Sequence, residues 1–161
     1  MKDKDLYSIS FKGLSLGNHS FDWTLDKEFF ALYEMSDISD SYIEAQLNLM
    51  KHSGFLELIF VLKGWVEVVC DRCLDPLKLD MKSEAQMYVK FGEQQGDYDT
   101  EEDDDDVIFL SYGDDKLNVA QYLYEYAHLS LPMRKVHPLD VNGQTTCNVQ
   151  MISKLEEYLV K

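Results

Sequence analysis

From Leu77 to Phe91 the sequence alternates without a break. Leu77, Leu79, Met81, Ser83, Ala85, Met87, Val89 and Phe91 take every second position, and Lys78, Asp80, Lys82, Glu84, Gln86, Tyr88 and Lys90 fill the places between. A period of two over fifteen residues fits no helix. It describes a long strand with one dry face and one wet face, as in an antiparallel sheet half open to water.

Its neighbours can be read by the same rule. Tyr42–Met50 alternates with Ile43, Ala45, Leu47 and Leu49 on one face, and Lys51-His52-Ser53-Gly54 makes a turn. Phe55–Leu62 and Trp65–Cys70 follow, and Gly64 between them predicts a bulge or tight bend. Residues 42–91 are therefore a meander. Upstream, Tyr7–Phe11 and Phe21–Leu25 alternate around Gly17-Asn18, which predicts a hairpin. Asp26 can cap a short helix over Lys27–Tyr33 that buries Phe29, Phe30 and Leu32. Val107–Leu110 reads as a short strand. Asn118 can cap a helix over Val119–Ser130, with Val119, Ala120, Leu123 and Ala127 on one side and Pro132 ending it. Asn148 can cap a last helix, where Ile152, Leu155 and Leu159 share a face. The expected fold is α+β: an antiparallel meander sheet, with barrel-like closure one option, and three helices packed on one face or end. Residues 1–161 are expected to form one domain, with a mobile acidic loop at about 92–106 and an irregular segment over 133–147.

At one turn of the meander stands Cys70-Asp71-Arg72-Cys73. Two thiolates at this spacing can grip one metal ion, or they can form a redox pair. Cys147 is the third cysteine, and His137 lies in the same irregular segment with nine residues between them. Cys70, Cys73, His137 and Cys147 together give three thiolates and one imidazole, a donor set that suits structural zinc. The His/Cys half lacks the usual short gap, so the plainer alternative stays open: Cys147 a small buried hydrophobe, His137 a surface residue. For a redox pair the flanks are unfavourable. Asp71 and Asp75 oppose a thiolate, Arg72 offsets them only in part, and no helix N-terminus follows the first cysteine.

Charge limits the partners. The chain carries 30 acids and 15 bases, a net charge of −15. Eight acids lie in Asp97–Asp106, and without them 22 acids face 15 bases, a balance of −7. Proteins that hold nucleic acid unaided usually carry a basic face, and there is no Lys/Arg cluster here. A basic protein partner is the better electrostatic match, with Asp71, Arg72 and Asp103, Asp104, Asp105 and Asp106 as candidate contacts. The acidic run does not form an EF-hand loop, since Glu102 stands where glycine is required; it reads as a solvated charge run. Met1-Lys2-Asp3-Lys4-Asp5 leads into no apolar stretch, and three cysteines make no disulfide framework, so the expected location is cytoplasmic. His19, His52 and His128 have no evident partner, and Asn18-His19-Ser20 is a sequon without meaning in that compartment. No P-loop, GxSxG, HExxH or dinucleotide fingerprint is present, and no enzymatic activity is expected.

A meander runs into Cys70-Asp71-Arg72-Cys73-Leu74-Asp75-Pro76-Leu77, then come an acidic stretch, a helix ending in Leu129-Ser130-Leu131-Pro132-Met133, and a His/Cys tail. This order resembles the YceD family of large ribosomal RNA subunit accumulation proteins. The resemblance implies a non-enzymatic accessory factor in large-subunit ribosomal RNA accumulation or ribosome assembly. Relatives often carry a second C-terminal cysteine pair; here that tail offers His137 and Cys147, a departure that leaves the metal set changed or lost. Acidity and an RNA-linked role are reconciled if the partner is a basic ribosomal protein or assembly factor of the large subunit. Two alternatives stay open: a zinc-knuckle interaction module unrelated to ribosomes, and a CxxC thiol oxidoreductase.

Overall fold

The computed structural model describes residues 3–92 and 106–159. Its centre is a five-stranded sheet made of β2 (Gly17–Asp26), β3 (Asp40–Lys51), β4 (Phe55–Val69), β5 (Pro76–Phe91) and β6 (Asp106–Leu110), in that spatial order. The alternating segments behave as their period requires. Ile43, Ala45, Leu47 and Leu49 of β3 are buried, as are Leu56, Leu58, Phe60 and Leu62 of β4. Cross-strand rows such as Phe21–Leu47–Phe60–Ala85 line up on the covered face. Lys63, Lys82, Glu84 and Lys90 fall on the open one.

Three expectations change. β2 to β5 form an antiparallel meander as expected, but the sheet as a whole is mixed and open rather than purely antiparallel or barrel-like. β6 runs parallel to β5, and the edges β2 and β6 do not meet. The N-terminal hairpin does not form. β1 (Ser8–Ser10) pairs instead with β7 (Lys116–Asn118), and β2 pairs along its whole length with β3. Gly17 has φ +116° and opens β2 rather than turning back onto β1. Finally, β4 is one unbroken strand whose register on both neighbours is constant through Gly64. Gly64 is there for close approach, because a Cβ would run into the Tyr42 carbonyl oxygen and Ile43 Cα.

Helix α1 (Lys27–Phe30) is capped by Asp26, whose Oδ1 accepts from the Phe29 N–H at 3.2 Å. Helix α2 (Ala120–Leu129) begins after Asn118, whose Oδ1 accepts from the Ala120 N–H at 3.0 Å. These two helices and the N-terminal segment cover the dry face. Phe60 meets Tyr126 at 5.3 Å between ring centroids, Tyr7 meets Phe29 at 5.0 Å, and Phe11 meets Phe91 at 5.5 Å. Helix α3 (Val149–Leu159) lies at the end of the sheet where β4 turns into β5, and it touches the core through the partly buried Met151 and Ile152. The expected loop over residues 92–106 lies almost wholly outside the described residues; Gly92 follows β5 and Asp106 opens β6. Among the described residues no helix is long and apolar enough to cross a membrane.

Candidate metal centre

The β4–β5 hairpin is the longest in the chain, and its turn is the knuckle. The Cys70 N–H donates to the Asp75 carbonyl at 2.9 Å, and the Leu74 N–H to the Cys70 carbonyl at 3.0 Å. This tight loop directs both cysteine side chains inward, where both are buried. The other half arrives from residues 133–147. There Leu139 bridges Thr145, and Asp140 organises the reversal: its Oδ1 accepts from the N–H groups of Asn142 and Gln144, both at 2.9 Å. Gly143, at φ +77°, completes the turn. The nine residues between His137 and Cys147 thus fold back on themselves, and the long gap closes.

All four ligand atoms lie within 4.8 Å of one another. Cys70 Sγ and Cys147 Sγ are 3.7 Å apart, and Cys73 Sγ is 3.3 Å from His137 Nδ1. Zinc bonds of about 2.3 Å to sulfur and about 2.0–2.1 Å to nitrogen give tetrahedral edges of about 3.8 Å and 3.6 Å. The observed spacings are near these values. On its far side the His137 ring places Nε2 3.1 Å from the Pro76 carbonyl, which keeps the proton of the neutral ring on Nε2 and turns Nδ1 toward the sulfurs as the ligating nitrogen.

Electrostatics match this donor set. Burial opposes ionisation of Cys70, but the N–H groups of Cys73, Arg72 and His137 point at its sulfur and bring the thiol down to about 6. At Cys147 a hydrogen bond from Thr145 and the nearby imidazole lower the thiol against the effect of burial. Cys73 goes the other way, since burial and the two neighbouring sulfurs raise it, although the N–H groups of Asn148 and Asp75 oppose the shift. Burial lowers His137, and the sulfurs of Cys147 and Cys70 more than reverse this. Three buried sulfurs and an imidazole, with several N–H donors aimed at the thiolates, form a site fitted to one soft, borderline cation.

The other candidate residues fall into two groups. Asp71 is engaged within the chain: its N–H donates to the Lys135 carbonyl at 2.6 Å, and its Oδ2 accepts from the Lys135 N–H at 2.7 Å. Arg72 is half-buried beside it, and Asp106 is exposed at the start of β6. Asp103, Asp104 and Asp105 lie outside the described residues. Two supporting residues, Asp140 and Thr145, were not singled out from the sequence; Asn148 was, as the cap of the last helix, and Asp75 was, as a charge beside the cysteines. Asn148 caps α3 through Oδ1, and its Nδ2 donates to Asp75 Oδ2 at 3.1 Å. The Asp140-Val141-Asn142-Gly143 turn was the available signal for the reversal.

The family comparison covers this site and the strands that build it. The family model described as large ribosomal RNA subunit accumulation protein YceD matches residues 59–159. No curated protein and no solved structure gave a significant match. The matched stretch runs from the middle of β4 to the end of α3 and takes in all four ligand positions, and on that match the chain belongs to the YceD family.

Proposed function

We propose that this chain is a non-enzymatic cytoplasmic accessory factor in large-subunit ribosomal RNA accumulation, and that Cys70, Cys73, His137 and Cys147 hold one structural zinc ion. The convergence of those four donors carries the reading. Held by these four side chains, zinc would supply a structural cross-link between the knuckle and the C-terminal segment. The family description supports the ribosomal context. The net charge of −15 supports action through a basic ribosomal protein or assembly factor of the large subunit rather than tight RNA binding. A thiol oxidoreductase is less well supported. Cys70 and Cys73 are 0% and 1% exposed, which leaves a disulfide substrate no line of attack.

Native purification at low salt tests this, with mass spectrometry for proteins, sequencing for RNA and metal analysis on the same sample. The expected result is one zinc per chain, together with basic large-subunit proteins or precursor particles. Salt-sensitive, tight binding of the purified protein alone to ribosomal RNA would overturn the indirect mode of action. Absence of every ribosomal component would overturn the ribosomal role.

A further inference from the structure

Leu74 follows the second cysteine of the knuckle in a left-handed conformation, φ 65°, the one non-glycine residue with positive φ among those described. That backbone is strained for an L-residue, whose Cβ crowds the following carbonyl, and glycine takes it freely. Leu74 is also 62% exposed, so burial within the chain does little to offset the strain. Val69, at the other foot of the knuckle, is 51% exposed. Both side chains line an open cleft of ≈ 510 Å³, with Asp37, Ser39, Asp71 and Lys135 also on its walls.

The chemistry of the cleft selects a partner. Its lining joins the apolar Val68, Val69, Cys70 and Leu74 to two acids, Asp37 and Asp71, and one base, Lys135, on a chain of net charge −15. Asp37 is exposed, and Asp71 spends Oδ2 on the Lys135 N–H. No aromatic side chain is available to stack a nucleobase, and carboxylates repel phosphate. We infer that this cleft is the docking site for a basic protein segment, which seats an apolar side chain against Leu74 and Val69 and sets Lys or Arg beside Asp37 and Asp71. The inference rests on the basic-partner reading above and names the surface that reading requires. Leucine at position 74 then serves the complex rather than the free chain.

The test uses the zinc-loaded full chain and two probes: the total protein fraction extracted from large ribosomal subunits, and the protein-free RNA of the same subunits. The wild-type chain is expected to retain basic proteins from the first probe and little of the second. Leu74→Gly is expected to keep its zinc and an equal or higher melting temperature, because strain is relieved, and yet to bind at least about tenfold more weakly. Val69→Ser should weaken binding in the same direction. If Leu74→Gly binds like wild type, the docking surface is refuted while the basic-partner reading stands. If Leu74→Gly loses zinc or melts earlier, Leu74 serves the free chain and the inference fails. Retention of RNA in place of protein overturns the partner class, and retention of neither removes the reading and the inference together.

Discussion

Removing the metal should release the C-terminal tail and leave the sheet folded. Among the described residues, Cys147 is the one buried apolar side chain beyond Ala127. Residues 133–159 otherwise offer the core only partial burial, from Val136, Met151 and Ile152. The tail is held to the body by the two Asp71–Lys135 hydrogen bonds, by His137 Nε2 on the Pro76 carbonyl and by the Asn148–Asp75 bond. At about 1 kcal/mol each these supply about 4 kcal/mol. Ordering the backbone costs about 1 kcal/mol or more per residue, and an isolated helix of α3's 11 residues is marginal in water. A structural zinc ion, worth about 10–16 kcal/mol in small zinc domains, would offset a large part of that cost.

Hydrogen exchange read by mass spectrometry separates the two regions. In the zinc-loaded protein, peptides from 133–159 should be protected. In chelator-stripped, reduced protein they should exchange almost as fast as an unfolded peptide, while peptides from β3, β4 and β5 keep their protection. Tail protection that survives metal removal would refute this accounting, as would loss of protection in β4 and β5 together with the tail.

Three further outcomes follow from single features. Gly64→Ala forces a Cβ onto the Tyr42 carbonyl of the neighbouring strand, and should cost about 3 kcal/mol or more by urea denaturation; a loss below about 1 kcal/mol would show that β3 and β4 can part locally. Tyr7 and Tyr126 are pushed up to about 12 by burial, with Asp26 and Asp106 adding to the effect. Their folded values lie above the ordinary 10, so this stability is complete below pH 10 and is lost as pH rises toward 12. Tyr126→Phe also removes a buried hydroxyl with no hydrogen-bond partner among the described residues; it should add about 1 kcal/mol and soften the alkaline loss in denaturation curves. Zinc affinity, measured by chelator competition, should fall as pH drops, because protons compete for the thiolates; Cys73 is raised and protonates first, and below about pH 6 Cys70 joins it. Affinity that does not change with pH would argue against thiolate ligation.

The local parts of this fold were legible because local chemistry fixes them. Fifteen alternating residues can only be a strand, Asp26 can satisfy the first N–H groups of α1, and the CxxC must turn between two strands. What could not be read were pairings over long separations. Ser8–Ser10 meets Lys116–Asn118 across more than a hundred residues, and β6 adds in parallel to an edge that antiparallel partners would equally fit. Gly64 misled for a related reason: from sequence a glycine in a strand signals a bulge or a close approach, and only the position of the Tyr42 carbonyl decides between them. At the site, donor types pointed to all four candidate ligands, but spacing argued against the second pair. The Asp140 turn that brings His137 back toward Cys147 was the missing step.

The two features that the sequence offers to a basic partner flank β5 along the chain, the knuckle before Pro76 and the acidic run after Gly92. Of the run, Asp106 is described, and it pairs with Met87, eleven residues along β5 from Pro76 and so roughly 36 Å away at about 3.3 Å per residue. Charge at that distance acts on encounter and not on the docked interface, because screening at physiological salt has a length of about 8 Å. Replacing Asp103, Asp104, Asp105 and Asp106 by Asn should therefore lower the association rate of a basic large-subunit protein by about tenfold at low salt. It should flatten the salt dependence and leave dissociation nearly unchanged. Leu74→Gly should do the reverse, speeding dissociation with little effect on association. The two sets should also combine additively, as distant sites do. Biolayer interferometry on the four proteins measures both rates. If neutralising the acidic run speeds dissociation as much as Leu74→Gly does, the run is part of the docked interface, and the division between steering and docking is wrong.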